Sequence, residues 1–228
     1  MKTLIVYATA GAGHRRVAEA IYERAKRQGQ DVVIADILDY TNPLFRFFYA
    51  RGYIFLIRYF PFVWRFVFWL TDKKGLGLIR KAIFLFNLIS CVGYLRSLRR
   101  EKYSCVISTH FMATEMSAFA AGDLGFSLIN VVTDFSLHRF WLSPGVDKYC
   151  LACPDAKDRL VSYGVPADKI VITGIPVAEK FLSVSDKAGL RKRLGLESGL
   201  FSVLIMTGEV GMGPIDKKSN VYFRVHGP

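Results

Sequence analysis

Residues 3–36 carry an apolar β-rich run, a glycine-rich loop, a helical period and a second apolar run, and few folds accept that order. Residues 3–8 read Thr-Leu-Ile-Val-Tyr-Ala, and residues 9–14 are small and end Gly11-Ala12-Gly13-His14. From 15 to 28 the spacing of Val17, Ala18, Ile21 and Ala25 predicts one apolar helix face, closed by Gly29. Residues 31–36 then hold Val-Val-Ile-Ala. Strand, loop, helix, strand is a βαβ unit, which imposes parallel pairing and helices packed on the sheet. The alternation continues. Strands are expected at 105–108, 127–132, 148–152 and 170–173, and helices at 110–121 (ended by Gly122) and 154–163 (ended by Gly164). The fold class is therefore α/β, a Rossmann-like parallel sheet with flanking helices over residues 1–182. Ligands of such sheets bind beyond the carboxyl ends of the strands. The amino terminus opens a strand and lacks the longer apolar region of a signal peptide.

One stretch breaks the alternation. Of the 28 residues from 43 to 70, thirteen are Phe, Tyr or Trp, four are Arg and none is acidic. From 41 to 100 there are eleven Lys or Arg and one acid, Asp72, so this region holds most of the net charge of +12. Arg51, Arg58 and Arg65 are spaced by seven and fall near one helical stripe, and Pro61 is expected to divide the segment. Arginine reaching lipid phosphates above Trp64, Phe66, Phe68 and Trp69 is the pattern of an in-plane, membrane-docking insertion. A core helix pair is the plainer alternative. Four charges argue against a span. The rest of the chain offers no basic recognition helix, which counts against a nucleic-acid partner. Residues 76–98 read as one long helix.

Chemistry-bearing residues follow the strands. His14 sits in the first glycine loop, where glycines allow close approach and an imidazole can take a proton from a hydroxyl. Ser108-Thr109-His110 follows one strand, and Thr133-Asp134 follows the next, with His138 and Trp141 behind. Thr109 and Asp134 also suit helix caps. The histidines lack metal-ligand spacing, so no metal is expected. Cys150 and Cys153 form a lone CxxC and read as ordinary thiols, consistent with a reducing compartment. Residues 183–200 form a linker containing a charged helix at 186–194. Residues 201–206 are expected to open a second Rossmann-type domain, cut short after Pro214, with Gly208, Gly211, Met212 and Gly213 in its phosphate loop.

In this order the motifs resemble the monogalactosyldiacylglycerol synthase family and its bacterial diacylglycerol glucosyltransferase relatives. They are more remotely similar to the enzyme that adds N-acetylglucosamine to lipid-linked muramyl-pentapeptide. The resemblance runs from about Lys2 to Ile215. The family's Gly-Gly-Gly-His loop matches Gly11-Ala12-Gly13-His14 with Ala in the middle, its Ser-x-His matches Ser108-Thr109-His110, and its Val-Thr-Asp matches Val132-Thr133-Asp134. The following His and Trp match His138 and Trp141, and a Gly-x-Pro matches Gly174-Ile175-Pro176. The donor loop departs in its first half, Thr207-Gly208-Glu209, and agrees in Gly211-Met212-Gly213-Pro214.

The resemblance implies the acceptor-side domain of a two-domain GT-B glycosyltransferase, inverting, with no cofactor and no metal. It implies His14 as base, assisted by Asp134. It implies acceptor contacts from Gly11, Gly13, Ser108, His110, Thr133, His138 and Trp141, and donor contacts from Gly208, Gly211, Met212 and Gly213. The implied partners are diacylglycerol, anionic membrane lipids and a UDP-hexose, at the cytoplasmic face of a membrane. The expected activity is hexose transfer to diacylglycerol, with this chain by itself inactive. The alternatives are a non-catalytic peripheral membrane module or a transferase for another lipid-linked acceptor.

Overall fold

The computed structural model describes residues 1–9, 11–73, 77–183, 186–197 and 199–204. They divide into two units, Met1–Ala178 and a second beginning at Glu179.

The first unit is built on a six-stranded, wholly parallel sheet in the order β2-β1-β3-β4-β5-β6. The strands are β1 (Thr3–Tyr7), β2 (Val32–Asp36), β3 (Cys105–Ser108), β4 (Ser127–Val131), β5 (Lys148–Leu151) and β6 (Ile170–Ile172). β1 pairs with β2 on one side, Thr3 opposite Val32, and with β3 on the other, Thr3 opposite Cys105. The chain thus runs outward from β1 to β2 and then crosses back to β3. Connections on the two sides of β1 diverge, which opens a crevice at the carboxyl ends of β1 and β3. Successive side chains of β1 point to opposite faces. Leu4 and Val6 enter the larger core with Val106, Leu128, Met112 and Met116, while Ile5 packs with Ala18, Ala25 and Val32. The latter two alanines belong to α1 (Ala12–Arg27), which starts earlier than the apolar spacing indicates and so takes His14 into its first turn.

The aromatic insertion is helical except at Phe60. Asn42 caps α2 (Pro43–Phe47), its side chain accepting the Phe45 N–H at 2.8 Å. A π-turn (Phe48–Gly52) leads into α3 (Tyr53–Tyr59). Pro61 opens α4 (Pro61–Thr71), and the residue before it, Phe60, leaves helical backbone (φ −132, ψ 53). The two arms meet at 114°. Among the described residues no single helix is long and apolar enough to cross a membrane.

The long helix expected over 76–98 is two helices, α5 (Gly77–Ser90) and α6 (Val92–Glu101), bent by 62°. The break lies at Cys91, fully buried, beside Gly93, which lies so close to the Tyr40 carbonyl that an added Cβ would collide with its oxygen. Gly93→Ala should therefore destabilise the fold by about 1–3 kcal/mol as an overpacked site, measured by urea unfolding. A loss below about 0.5 kcal/mol would mean that the two segments separate freely.

The helix after β3, α7 (Phe111–Leu124), runs through Gly122 and ends at Gly125, whose φ of 69 supplies the left-handed turn. Its cap is the His110 side chain and not Thr109. α8 (Pro154–Ser162) covers β5 and β6. All four cysteines are free thiols.

In the second unit, Asp186 caps α9 (Lys187–Arg193), and Arg191 Nη2 donates to the Leu200 carbonyl at 2.7 Å. The strand expected over 201–206 is not formed over its described residues, 201–204. The phosphate-loop residues Gly208, Gly211, Met212 and Gly213 lie outside the described residues.

Candidate active site

The turn from β1 into α1 is made by Gly11 at φ 138 and ψ 155, backbone that a side chain would strain. It delivers His14 to the crevice beside β3. Thr109 receives it there. The Thr109 hydroxyl donates to the His14 carbonyl at 2.9 Å, and His14 Nδ1 lies 2.8 Å from the Thr109 carbonyl oxygen. A carbonyl can only accept, so Nδ1 carries the proton, shared with Thr133 Oγ1 at 2.9 Å. The other ring nitrogen, Nε2, is left with its lone pair. Burial pushes the His14 pKa below its usual 6.5, against opposing pulls from the Thr109 carbonyl and Asp134. The first turn of a helix disfavours an imidazolium as well. His14 is thus a neutral imidazole of fixed tautomer at pH 7.

The other expected residues divide into two groups. Asp134 is at the crevice; its Oδ2 accepts the Trp141 indole N–H at 2.9 Å, and the buried Trp141 ring lies 6.0 Å from the His14 ring. Asp134 therefore caps no helix but is held by an indole. His110 packs edge-on against His14 at 4.6 Å, with its pKa driven well down by burial and by His14. Its Nδ1 accepts the Met112 N–H at 3.2 Å. Ser108 and His138 face elsewhere. Ser108 is fully buried, donates to the His110 carbonyl and accepts from Thr114, and so holds the loop under the site. His138 is also buried, with its Nε2 2.9 Å from the Phe68 carbonyl and its ring 4.1 Å from the Phe68 ring. It fastens α4 to the sheet. Asp72 does the same, accepting the Arg139 N–H at 2.9 Å and Arg159 Nη2 at 2.6 Å.

His14, His110 and Asp134 line a cavity of about 430 Å³. Its walls come from the insertion (Phe48, Tyr49, Tyr53, Leu56, Trp64, Phe68), from Ile83 of α5, and from Phe111 and Phe140. Arg51, Arg58 and Arg65 are each exposed, but the bend at Phe60 puts Arg65 on a different arm from the other two, so they do not form the single stripe expected. Phe62, Phe66 and Trp69 are 71%, 59% and 53% exposed, whereas Trp64 and Phe68, expected on the outer face, line the cavity. Three polar wall residues escaped sequence reasoning: Arg80, Asn87 and Glu115. The available signal was an isolated Asn in Leu85-Phe86-Asn87-Leu88-Ile89 and an isolated Glu in the small-residue run of α7. Among the described residues no three His, Cys, Asp or Glu side chains are grouped to hold a metal ion.

The first unit is thus a Rossmann-like domain whose switch point carries a neutral imidazole at an aromatic cavity walled in part by the insertion helices. The family model for monogalactosyldiacylglycerol (MGDG) synthase matches residues 14–177, and the chain belongs to that family. A processive diacylglycerol beta-glucosyltransferase of Bacillus pumilus is 26% identical over 219 residues, covering 92% of this chain and 55% of that protein. Its counterpart in Staphylococcus saprophyticus is 25% identical over 215 residues, covering 92% and 53%. The chain thus spans about half the length of these curated relatives. Among solved structures, Acinetobacter baumannii MurG aligns with 17% identity and a TM-score of 0.45, over 83% of this chain and 47% of that one. The lipopolysaccharide outer core galactosyltransferase WaaB aligns with 13% identity and a TM-score of 0.43, over 75% and 45%.

Proposed function

We propose that the chain is the lipid-acceptor half of a GT-B glycosyltransferase that moves a hexose from a UDP-sugar to the free hydroxyl of diacylglycerol, with inversion and no metal or other cofactor. The observation that carries this is the His14 ring: Nδ1 is tied to a carbonyl and Nε2 is left basic in an aromatic cavity. His14 Nε2 takes the hydroxyl proton as the lipid oxygen bonds to the anomeric carbon and the bond to UDP breaks; UDP leaves with the electron pair. Asp134, fixed by Trp141, stabilises the imidazolium that forms. Matching relatives named as diacylglycerol beta-glucosyltransferases support this acceptor class. The exposed aromatic-basic helices hold the cavity against the cytoplasmic face of an anionic membrane, from which the lipid enters. The outer donor contacts, including Gly208, Gly211, Met212 and Gly213, belong to the UDP-sugar side.

The test is flotation of the purified 228-residue chain with phosphatidylglycerol vesicles, with and without diacylglycerol. Diacylglycerol should raise the floated fraction, and the same preparation should incorporate no label from UDP-glucose or UDP-galactose. Flotation indifferent to diacylglycerol would overturn the acceptor assignment, and label in lipid would overturn the division of labour between halves.

A further inference from the structure

Three polar side chains of the cavity take no part in that proton transfer. Arg80 and Asn87 stand on α5, and Glu115 stands on α7. Asn87 is 6% exposed, and its Nδ2 donates to Glu115 Oε2 at 3.2 Å. Arg80 gives one N–H to the Arg139 carbonyl at 3.2 Å. A guanidinium has five N–H donors and a side-chain amide two, so both keep donors beyond these contacts. Placing such groups in an aromatic cavity costs free energy unless something pairs with them. Burial raises the Glu115 pKa, while Asn87 and Arg80 act to lower it, so the three work as one unit.

Their position limits what that partner is. Glu115 lies five residues beyond His110 on α7, about 7.5 Å at a rise of 1.5 Å per residue. The His110 ring is 4.6 Å from that of His14. The cluster lines the same cavity as His14, so an acylglycerol whose free hydroxyl meets His14 shares that cavity with it. The ester carbonyls of such a lipid are pure acceptors, and the cluster offers donors.

We infer that Arg80 and Asn87, braced by Glu115, form a subsite that donates hydrogen bonds to the acyl-ester carbonyls of the acceptor lipid, so that the cavity separates ester-linked from ether-linked lipids. This rests on the lipid-acceptor reading above. The test titrates the 228-residue chain with micellar 1,2-dioctanoyl-sn-glycerol and with its diether, 1,2-dioctyl-sn-glycerol, following the fluorescence of Trp64 in the cavity wall. The ester should bind about tenfold more tightly, the worth of one well-made hydrogen bond. Asn87→Leu and Arg80→Met should each weaken ester binding about three- to tenfold and leave ether binding within about twofold. The comparison of two lipids on the unaltered chain needs no variant to fold. Equal affinities there would overturn the subsite and leave the acceptor reading standing. Variants that weaken both lipids alike would overturn it too, by assigning these residues to packing. Binding of neither lipid would overturn the acceptor reading and the subsite with it.

Discussion

Replacing Phe62, Phe66 and Trp69 together by serine should lower partition of the chain onto phosphatidylglycerol vesicles by about a hundredfold, with the unfolding midpoint nearly unchanged. These rings are the most exposed aromatic residues of α4, so the folded sheet gains little from them. In a membrane interface each is worth about 1 kcal/mol of the 1.5–3 expected for full burial, and about 3 kcal/mol is a factor of about a hundred. Phe68 is excluded because it packs on His138, and its loss would loosen α4 from the domain. The charge component is separable. Arg51, Arg58 and Arg65 have no acidic residue among them from 43 to 71, and each basic residue near an anionic surface contributes about 1 kcal/mol. Raising salt should weaken flotation of the unaltered chain, and replacing phosphatidylglycerol by phosphatidylcholine should do the same. Lys73 lies 3.5 Å over the Trp69 ring, so the serine variant also loses a cation–π partner for one basic group. Flotation of the variant at the level of the parent would remove α4 from the membrane contact.

How far the sequence carried this structure depends on the range of each signal. The βαβ opening is local: a period of two, a glycine turn and a period of 3.6 specify β1, α1 and β2 with little help from the rest. The switch point does not follow from it, because the connections diverge only once β3 pairs with β1, a contact about a hundred residues apart in sequence. His14 and Asp134 were legible because polar residues after apolar strands have few places to go. The failures are of longer range. The break at Cys91 sits where Gly93 packs against the Tyr40 carbonyl, a neighbour far away in sequence that no local spacing announces. Ser108 and His138 looked like their neighbours in sequence, yet one supports the His110 loop and the other holds Phe68. Arg80, Asn87 and Glu115 meet only because α5 and α7 pack, and no spacing within either helix announces a pairing across them. The aromatic segment was assigned one outer face, whereas its rings serve two surfaces. Trp64 looks inward and Trp69 outward, five residues apart on one helix, which at 100° per residue puts them on different faces.

The largest effect falls on His14. Grafted in place of the region it matches in the Bacillus pumilus diacylglycerol beta-glucosyltransferase, the chain should support transfer to diacylglycerol, and His14→Gln should cut that transfer by about 10²–10⁴-fold. Glutamine keeps a polar side chain of similar reach but has no basic nitrogen. Binding of dioctanoylglycerol by the 228-residue His14→Gln chain should fall far less than transfer does, because the aromatic walls from the insertion are unchanged. The pH profile carries the second half of the test. Burial holds the His14 pKa below its usual value, so Nε2 is unprotonated at neutral pH, and activity should hold there. It should decline only below that, as the ring takes up a proton. Asp134→Asn removes an opposing pull that favours the protonated ring. The acid limb should therefore move to lower pH in that variant, while maximal transfer also drops because the imidazolium formed in the reaction loses its counter-charge. A limb that stays in place when Asp134 is changed would separate Asp134 from the base. Transfer that survives His14→Gln would take the proton-accepting role away from His14 and leave it a first-turn residue of α1 held by Thr109.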